Sequence, residues 1–426
     1  MQPSTKSLPN PDNITRVVFD NGIRVLIREN HAAPVTVVEG CLLTGALHDP
    51  AGKAGLSSFV ASMLSRGSAQ YDFDTFNETI ESIGASLGVG SDTHITSFSG
   101  TSLSEDFSTI ATVLADILRR PTFPSAHVDR LRGQKLVRLQ EREQDTQQVA
   151  NRRFYEALYG DHPYGRPVSG YIETVSTIER ADLSAFYEQH YTPNGAIIVV
   201  VGDVQTSAVL DLLHQHLGDW QGPAADQQVP TVQPRQASQQ DYYALPGKVQ
   251  ADIMLGCQAI ARNHPDFYAV RVANTVLGQF GMMGRLGEKM REEQGLAYYC
   301  GSSVDAEITA GSWYASAGVN PESTQQAIES ILAEFERLGS DPMAENELKD
   351  SQDYLTGVLP LTLETNDGVA SALLNMERNG LGLDYLQRYN RLIYGVTCAD
   401  VQRVARQYLR TDRYALAVAG PPDEEE

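Results

Sequence analysis

Tyr191-Thr-Pro-Asn-Gly-Ala-Ile-Ile-Val-Val-Val-Gly202 and Tyr408-Leu-Arg-Thr-Asp-Arg-Tyr-Ala-Leu-Ala-Val-Ala-Gly420 are two versions of one ending. Each follows a short helical stretch, 180–190 in the first case and 399–408 in the second, and each runs through an apolar strand to a closing glycine. The apolar run 197–201 is far shorter than the roughly 20 residues that cross a bilayer, so it reads as a buried strand. Working back from each ending, the same programme appears twice.

In the first copy, Arg16-Val-Val-Phe-Asp and Ile23-Arg-Val-Leu-Ile-Arg are joined by Asn21-Gly22, a hairpin signal. A strand at 35–43 follows. Residues 55–66 read as a helix with Leu56, Phe59, Val60, Met63 and Leu64 on one face, and 73–83 as a second helix. Two strands follow within 86–101, then long helices at 107–119 and 126–159. In the second copy, 252–258 answers to the strand at 35 and 267–277 to the helix at 55. The segments 297–303 and 311–318 answer to the strand pair, and 324–338 and 342–379 to the long helices. From first strand to closing glycine each copy spans about 165 residues, a period that means domain duplication rather than a solenoid. Strands and helices alternate without strict βαβ regularity. The expected fold class is therefore α+β, two homologous halves, each a mostly antiparallel sheet with helices packed on one face. The expected divisions are a polar leader at 1–14, a first domain at 15–217, a Pro-, Gln- and Ala-rich linker at 218–240, a second domain at 241–420 and an acidic tail at 421–426.

The chain has 426 residues, 54 acidic against 33 basic, and a formal charge of −21. Nothing in it supplies the dense basic surface that displaces phosphate counterions, which excludes nucleic acid as a partner. The four cysteines are scattered with no C-x-x-C pair, and the N-terminal residues carry neither a secretory nor an organellar targeting pattern. The expected location is cytoplasmic, with no membrane insertion.

The segment Gly55-Leu-Ser-Ser-Phe-Val-Ala-Ser-Met-Leu-Ser-Arg-Gly67-Ser resembles the first-helix segment of the pitrilysin/insulinase family of inverted zincins, which includes the mitochondrial processing peptidase. Active members read G-L-A-H-F-L-E-H-M-L-x-x-G-T there. Supporting likenesses run through 155–170, 187–204 and 291–298, so the resemblance covers nearly the whole chain. It implies a fold like that of LuxS and the processing peptidase.

The chemistry of that segment is missing. A zinc site of this kind needs two imidazoles one turn apart on one helix face, with a glutamate between them as general base. Ser58 and Ser62 stand where the histidines belong, and Ala61 replaces the base. The family's third ligand, a glutamate about 76 residues beyond the second histidine, falls on Arg138 or, one residue later, Leu139, and a cation there repels a metal. The helix at 267–277 has no histidine or acid to compensate, and the nine histidines form no H-x-x-x-H pair. No metal is expected in this chain.

Two features are kept. Arg291-Glu-Glu-Gln-Gly-Leu-Ala-Tyr298 resembles the segment from which the zinc-free half of the family sends an arginine and a tyrosine toward the opposite half's zinc. A tyrosine hydroxyl can donate to the oxyanion that forms on a peptide carbonyl, and an arginine can hold the peptide backbone or the tyrosine. The bland alternative is a surface arginine at a helix end and a core tyrosine in a strand. The second feature, 84–94 with Ser86, Gly88 and Gly90, resembles the sheet edge to which the family adds its peptide; an ordinary glycine-rich strand end reads the same. The Gly-rich stretch 278–284 resembles a substrate-contacting glycine loop or is a bare helix connection.

The resemblance implies a noncatalytic subunit of a heterodimeric zinc metallopeptidase. Such a subunit works beside an H-x-x-E-H chain that carries the zinc, lends half the peptide chamber, and places Arg291 and Tyr298 at the partner's site. The acidic balance favours basic or neutral peptide substrates. The alternative is a structural or peptide-binding scaffold with no part in catalysis.

Overall fold

The computed structural model describes residues 8–225, 228–279 and 284–422. Residues 1–7 of the expected leader, 423–426 of the expected tail, 226–227 of the expected linker and 280–283 of the Gly-rich stretch lie outside them.

The chain forms two mixed sheets. The first comprises β1 (Thr15–Val18), β2 (Arg24–Glu29), β3 (Val35–Leu42), β4 (Ser86–Ser91), β5 (Thr96–Leu103) and β6 (Ile197–Gly202), in the order β1-β2-β6-β3-β5-β4. The second comprises β7 (Gln239–Ala244), β8 (Ala251–Ala259), β9 (Ala297–Ala306), β10 (Gly311–Val319) and β11 (Ala415–Gly420), in the order β7-β11-β8-β10-β9. The strands of the two repeated endings, β6 and β11, occupy the same place. Each runs parallel to one neighbour and antiparallel to the other, with all six residues buried. A strand covered on both faces reads as an unbroken apolar run, which is why these two segments carry the repeat so clearly.

Five helices matter for the site: α1 (Leu56–Met63), α2 (Phe73–Ser82), α3 (Phe107–Arg119), α4 (Ser125–Arg142) and α5 (Thr146–Tyr159). In the first unit, Phe59, Val60 and Met63 of α1 join Ile110, Val113, Leu114 and Ile117 of α3 in one core with Val38, Phe98 and Val200 of the sheet. The start of α1 is fixed by a buried carboxylate. Asp49 accepts from the Gly55 amide at 2.8 Å and the Ser57 amide at 2.7 Å, satisfying donors that a helix start leaves open. Gly55 itself has φ +96, and a Cβ there would meet the Ser169 carbonyl oxygen at 2.8 Å, so glycine is required.

The long helices expected at 126–159 and 342–379 are each broken in two. Asp145 accepts from the Gln148 amide at 2.9 Å and starts α5, while Thr365 accepts from the Gly368 amide at 3.0 Å and starts the helix Asn366–Arg378. These caps restart the helix after a turn of chain. The breaks decide where the second pieces go. One compact unit contains residues through Leu139, Pro167–Gln228 and Pro360–Gln387; the other contains Gln140–Arg166, Val229–Leu359 and the residues from Arg388 onward. Each unit thus takes one helix from the other half of the sequence.

Helix Asn366–Arg378 lies on β3 and β6, and α5 lies on β7, β8 and β11. In the first unit, Ser371 donates to both Glu39 carboxylate oxygens at 2.9 and 2.8 Å, and Asn366 Nδ2 donates to the Val35 carbonyl at 3.1 Å. Glu377 accepts from Arg16 twice at 2.9 Å and from Arg24 at 3.2 Å. In the second unit, Arg153 pairs with Asp241 at 2.9 Å, and the Tyr155 hydroxyl donates to Asp305. Helices were expected on one face of each sheet. In the first unit the opposite face is covered as well, by the borrowed helix.

Candidate functional site

Helix α1 presents Ser58 and Ser62 one turn apart, both half-buried, with Ala61 buried between them at 1% exposure. Their hydroxyls face no metal-ligand set. Ser62 Oγ donates back to the Ser58 carbonyl oxygen at 2.7 Å, as helical serines do. From α4, the Lys135 ammonium donates to Ser58 Oγ at 3.0 Å and to the Ser58 carbonyl at 3.3 Å, and lies 5.6 Å from the centre of the Phe59 ring.

Counting along the sequence points to Arg138 or Leu139 as the residue that α4 sets against the motif. The geometry sets Lys135 there instead. Arg138 is exposed and makes no hydrogen bond to either serine, and Leu139 is buried in the core. A signal for Lys135 was available: Val128, Leu131, Lys135 and Leu139 recur at helical spacing, which puts the lysine on the apolar, inward face of α4. Two hydroxyls, a methyl group and an ammonium do not fit zinc, which needs unprotonated nitrogen, sulfur or carboxylate donors. Among the described residues no group of three or more His, Cys, Asp or Glu side chains comes together as a metal site would require.

Strand β4 is an outer strand of its sheet, and Ser86, Gly88 and Gly90 are exposed along it. A side chain at Gly88 would meet nothing within 4 Å, and one at Gly90 would meet only Ser97 Oγ, at 3.6 Å. Gly88 and Gly90, with Glu39, Ser97, Ser99 and Leu374, line an open cavity of about 400 Å³. Burial raises the Glu39 carboxyl from its ordinary value, the Ser371 hydroxyl works against this, and Asp367 adds to it. Helix α1 and the 3-10 turn Leu64–Arg66 that continues it both pack against β4. The degenerate motif therefore lies beside the open glycine edge.

In the second unit, Arg291 lies in a widened helical turn, Glu288–Glu293, and Tyr298 is the second residue of β9, an outer strand. Gly295, at φ +62, ends the turn, and the Leu296 amide donates to the Met290 carbonyl at 2.8 Å. Met290 is fully buried and pins the turn. Arg291 is exposed, Tyr298 is 64% exposed, and neither makes a hydrogen bond or ion pair among the described residues. Tyr298 is thus no core tyrosine. Its neighbour Tyr299 shows the contrast, donating its hydroxyl to Asp252 at 2.5 Å.

Residues 24–171 match the family described as Insulinase (Peptidase family M16), and residues 177–355 match the Peptidase M16 inactive domain. An uncharacterized zinc protease of Bacillus subtilis is 25% identical over 416 residues, covering 96% of this chain and 98% of that protein. Subunit 1 of the bovine mitochondrial cytochrome b-c1 complex is 25% identical over 263 residues, covering 62% of this chain and 55% of that one. The crystal structure of a peptidase M16 inactive domain from Pseudomonas fluorescens superposes with a TM-score of 0.91 at 24% identity, covering 97% of this chain and 99% of that one. With two successive M16 matches across most of its length, the chain belongs to the pitrilysin/insulinase (M16) peptidase family.

Proposed function

We propose that the chain is a noncatalytic subunit of a heterodimeric zinc metallopeptidase. It lends half of a peptide chamber to an H-x-x-E-H subunit of the same family and offers Arg291 and Tyr298 to that partner's reaction. The observation that carries this reading is the lysine seated against Ser58, where active relatives of the motif read histidine, while Arg291 and Tyr298 stand exposed and unpaired among the described residues. A tyrosine with no partner of its own is free to donate elsewhere. Relatives named as zinc proteases and as a respiratory-complex subunit suit a family in which some chains carry the metal and others serve beside them. Among the described residues no helix is long and apolar enough to cross a membrane. The bovine complex subunit favours a second reading, a scaffold with no part in catalysis.

One experiment separates the two readings. The chain is mixed with an H-x-x-E-H family member from the same genome, and hydrolysis of an unstructured peptide is followed for each protein alone and for the pair. Activity that rises only in the pair is expected. A partner fully active without this chain, and unchanged by adding it, would leave the scaffold reading standing.

A further inference from the structure

Glu39 differs from two other half-buried carboxylates of the first unit, Asp182 and Glu377. Asp182 has Lys53 at 2.7 Å, and Glu377 has Arg16 and Arg24. The Glu39 carboxylate meets no cation among the described residues and has only the Ser371 hydroxyl, which donates to its two oxygens at 2.9 and 2.8 Å. A carboxylate offers about four acceptor sites, so one hydroxyl proton leaves most of them open. Strand register decides what this carboxylate faces. Paired residues of neighbouring strands share a face of the sheet, and the pairs Glu39–Ser99 and Ser99–Gly88 set these three in a row from β3 across β5 to the outer strand β4. Ser97 and Gly90 pair two residues along, on the same face. Val38, Phe98, Leu87 and Val89, between them in sequence, pack into the core on the other face.

Two serines and two glycines thus leave a trough over β5 and β4, with Glu39 at its inner end and Leu374 of helix Asn366–Arg378 in its lining; this is the open cavity of about 400 Å³. The Ser97 and Ser99 hydroxyls bond to nothing among the described residues, so two further acceptors line the same space as the carboxylate. Burial and the charge of Asp367 both disfavour the ionised form of Glu39, and an arriving cation would favour it. We infer that this trough is a subsite for the ammonium group of a lysine side chain in a bound peptide, received by Glu39 with Ser97 and Ser99. The inference rests on the reading of β4 as the peptide-binding edge and adds a preference that edge addition alone lacks, because backbone hydrogen bonds are indifferent to side chains. Neighbouring strands lie about 4.8 Å apart, so the Glu39 backbone sits about 10 Å inside the edge. Only a long side chain reaches it from an added strand. Lysine has the flexible four-carbon stem for that distance, and its ammonium brings three donors to the three acceptor groups.

The test uses the full chain and two unstructured decapeptides, labelled with a fluorophore at the N-terminus and amidated at the C-terminus, that differ at one central residue: lysine or acetyl-lysine. The pair keeps the stem and changes the charge. Binding is followed by anisotropy at low and high salt. At low salt the lysine peptide is expected to bind about tenfold more tightly, the size of a hydrogen bond to a charged group, and high salt should narrow the difference. Glu39→Gln keeps the shape of the side chain, removes its charge and should abolish most of the advantage while leaving the acetyl-lysine peptide's affinity unchanged. Ser99→Ala, at an exposed position that leaves the Ser371 bond intact, should reduce the advantage by about threefold. Thermal unfolding confirms that each variant is folded. Equal affinity of the natural chain for both peptides would overturn the subsite and leave the edge reading intact. A lysine preference that survives Glu39→Gln would do the same, because it would belong to the chain's overall charge of −21. Failure of both peptides to bind would overturn the subsite and the edge reading together.

Discussion

Tyr298→Phe is expected to lower kcat of the reconstituted pair by about 100- to 1,000-fold, the usual effect of losing one oxyanion donor. The substitution removes a single hydroxyl that bonds to nothing among the described residues, from a ring that is 64% exposed at the start of an outer strand. Folding and pairing should therefore be unaffected, and the loss should appear in kcat rather than in zinc content of the partner. Arg291→Ala should act at the same reaction, with part of its effect as a raised KM if the guanidinium holds peptide backbone. Steady-state kinetics of the pair, with assembly checked by size-exclusion chromatography, read both variants. Full activity of the Tyr298→Phe pair would make this chain a wall or scaffold rather than a contributor to catalysis.

The triple change Ser58→His, Ala61→Glu and Ser62→His rebuilds the letters of the family motif, yet it is expected to bind zinc weakly. The obstacle is Lys135, whose ammonium lies 3.0 Å from the Ser58 hydroxyl. A unit charge 4 Å from another at a protein surface contributes about 4 kcal/mol of repulsion, and a divalent ion doubles it, so affinity should fall by about five to six orders of magnitude below a functional site. Adding Lys135→Glu should recover tight binding, whereas adding Arg138→Glu should not, because Arg138 is exposed and makes no hydrogen bond to either serine. Zinc titration against a chromophoric chelator distinguishes the two, with circular dichroism to show that α1 remains folded. Tight zinc binding by the triple variant with Lys135 still in place would mean that the lysine does not control the site.

How far each feature was legible in the sequence follows from where its information lies. The strands β6 and β11 are buried over their whole length, so their apolar runs announce both the duplication and its ends. The loss of the zinc motif was equally plain, since Ser58, Ala61 and Ser62 are read directly against a contiguous pattern. The exchange of helices between units was not legible. It depends on two short breaks, started by Asp145 and Thr365, inside segments whose helical periodicity continues on both sides. Counting residues from α1 to α4 missed Lys135 for a related reason: a count ignores which face of α4 turns inward, and the spacing of Val128, Leu131 and Leu139 would have indicated it. Tyr298 and Tyr299 are adjacent and chemically identical. Their different fates, one exposed and unpaired among the described residues, the other bonded to Asp252, come from strand alternation at a sheet edge that appears only once the register is known.

The described residues around Ser58, Ala61 and Ser62 provide no metal-ligand set, which gives the expectation that this chain holds no zinc. Its most direct test is the zinc content of the purified chain, measured by atomic emission after dialysis against a mild chelator and again after adding equimolar zinc and removing the excess. Far less than one zinc per chain is expected in both samples. One zinc per chain that survives dialysis and yields only to a strong chelator would contradict it.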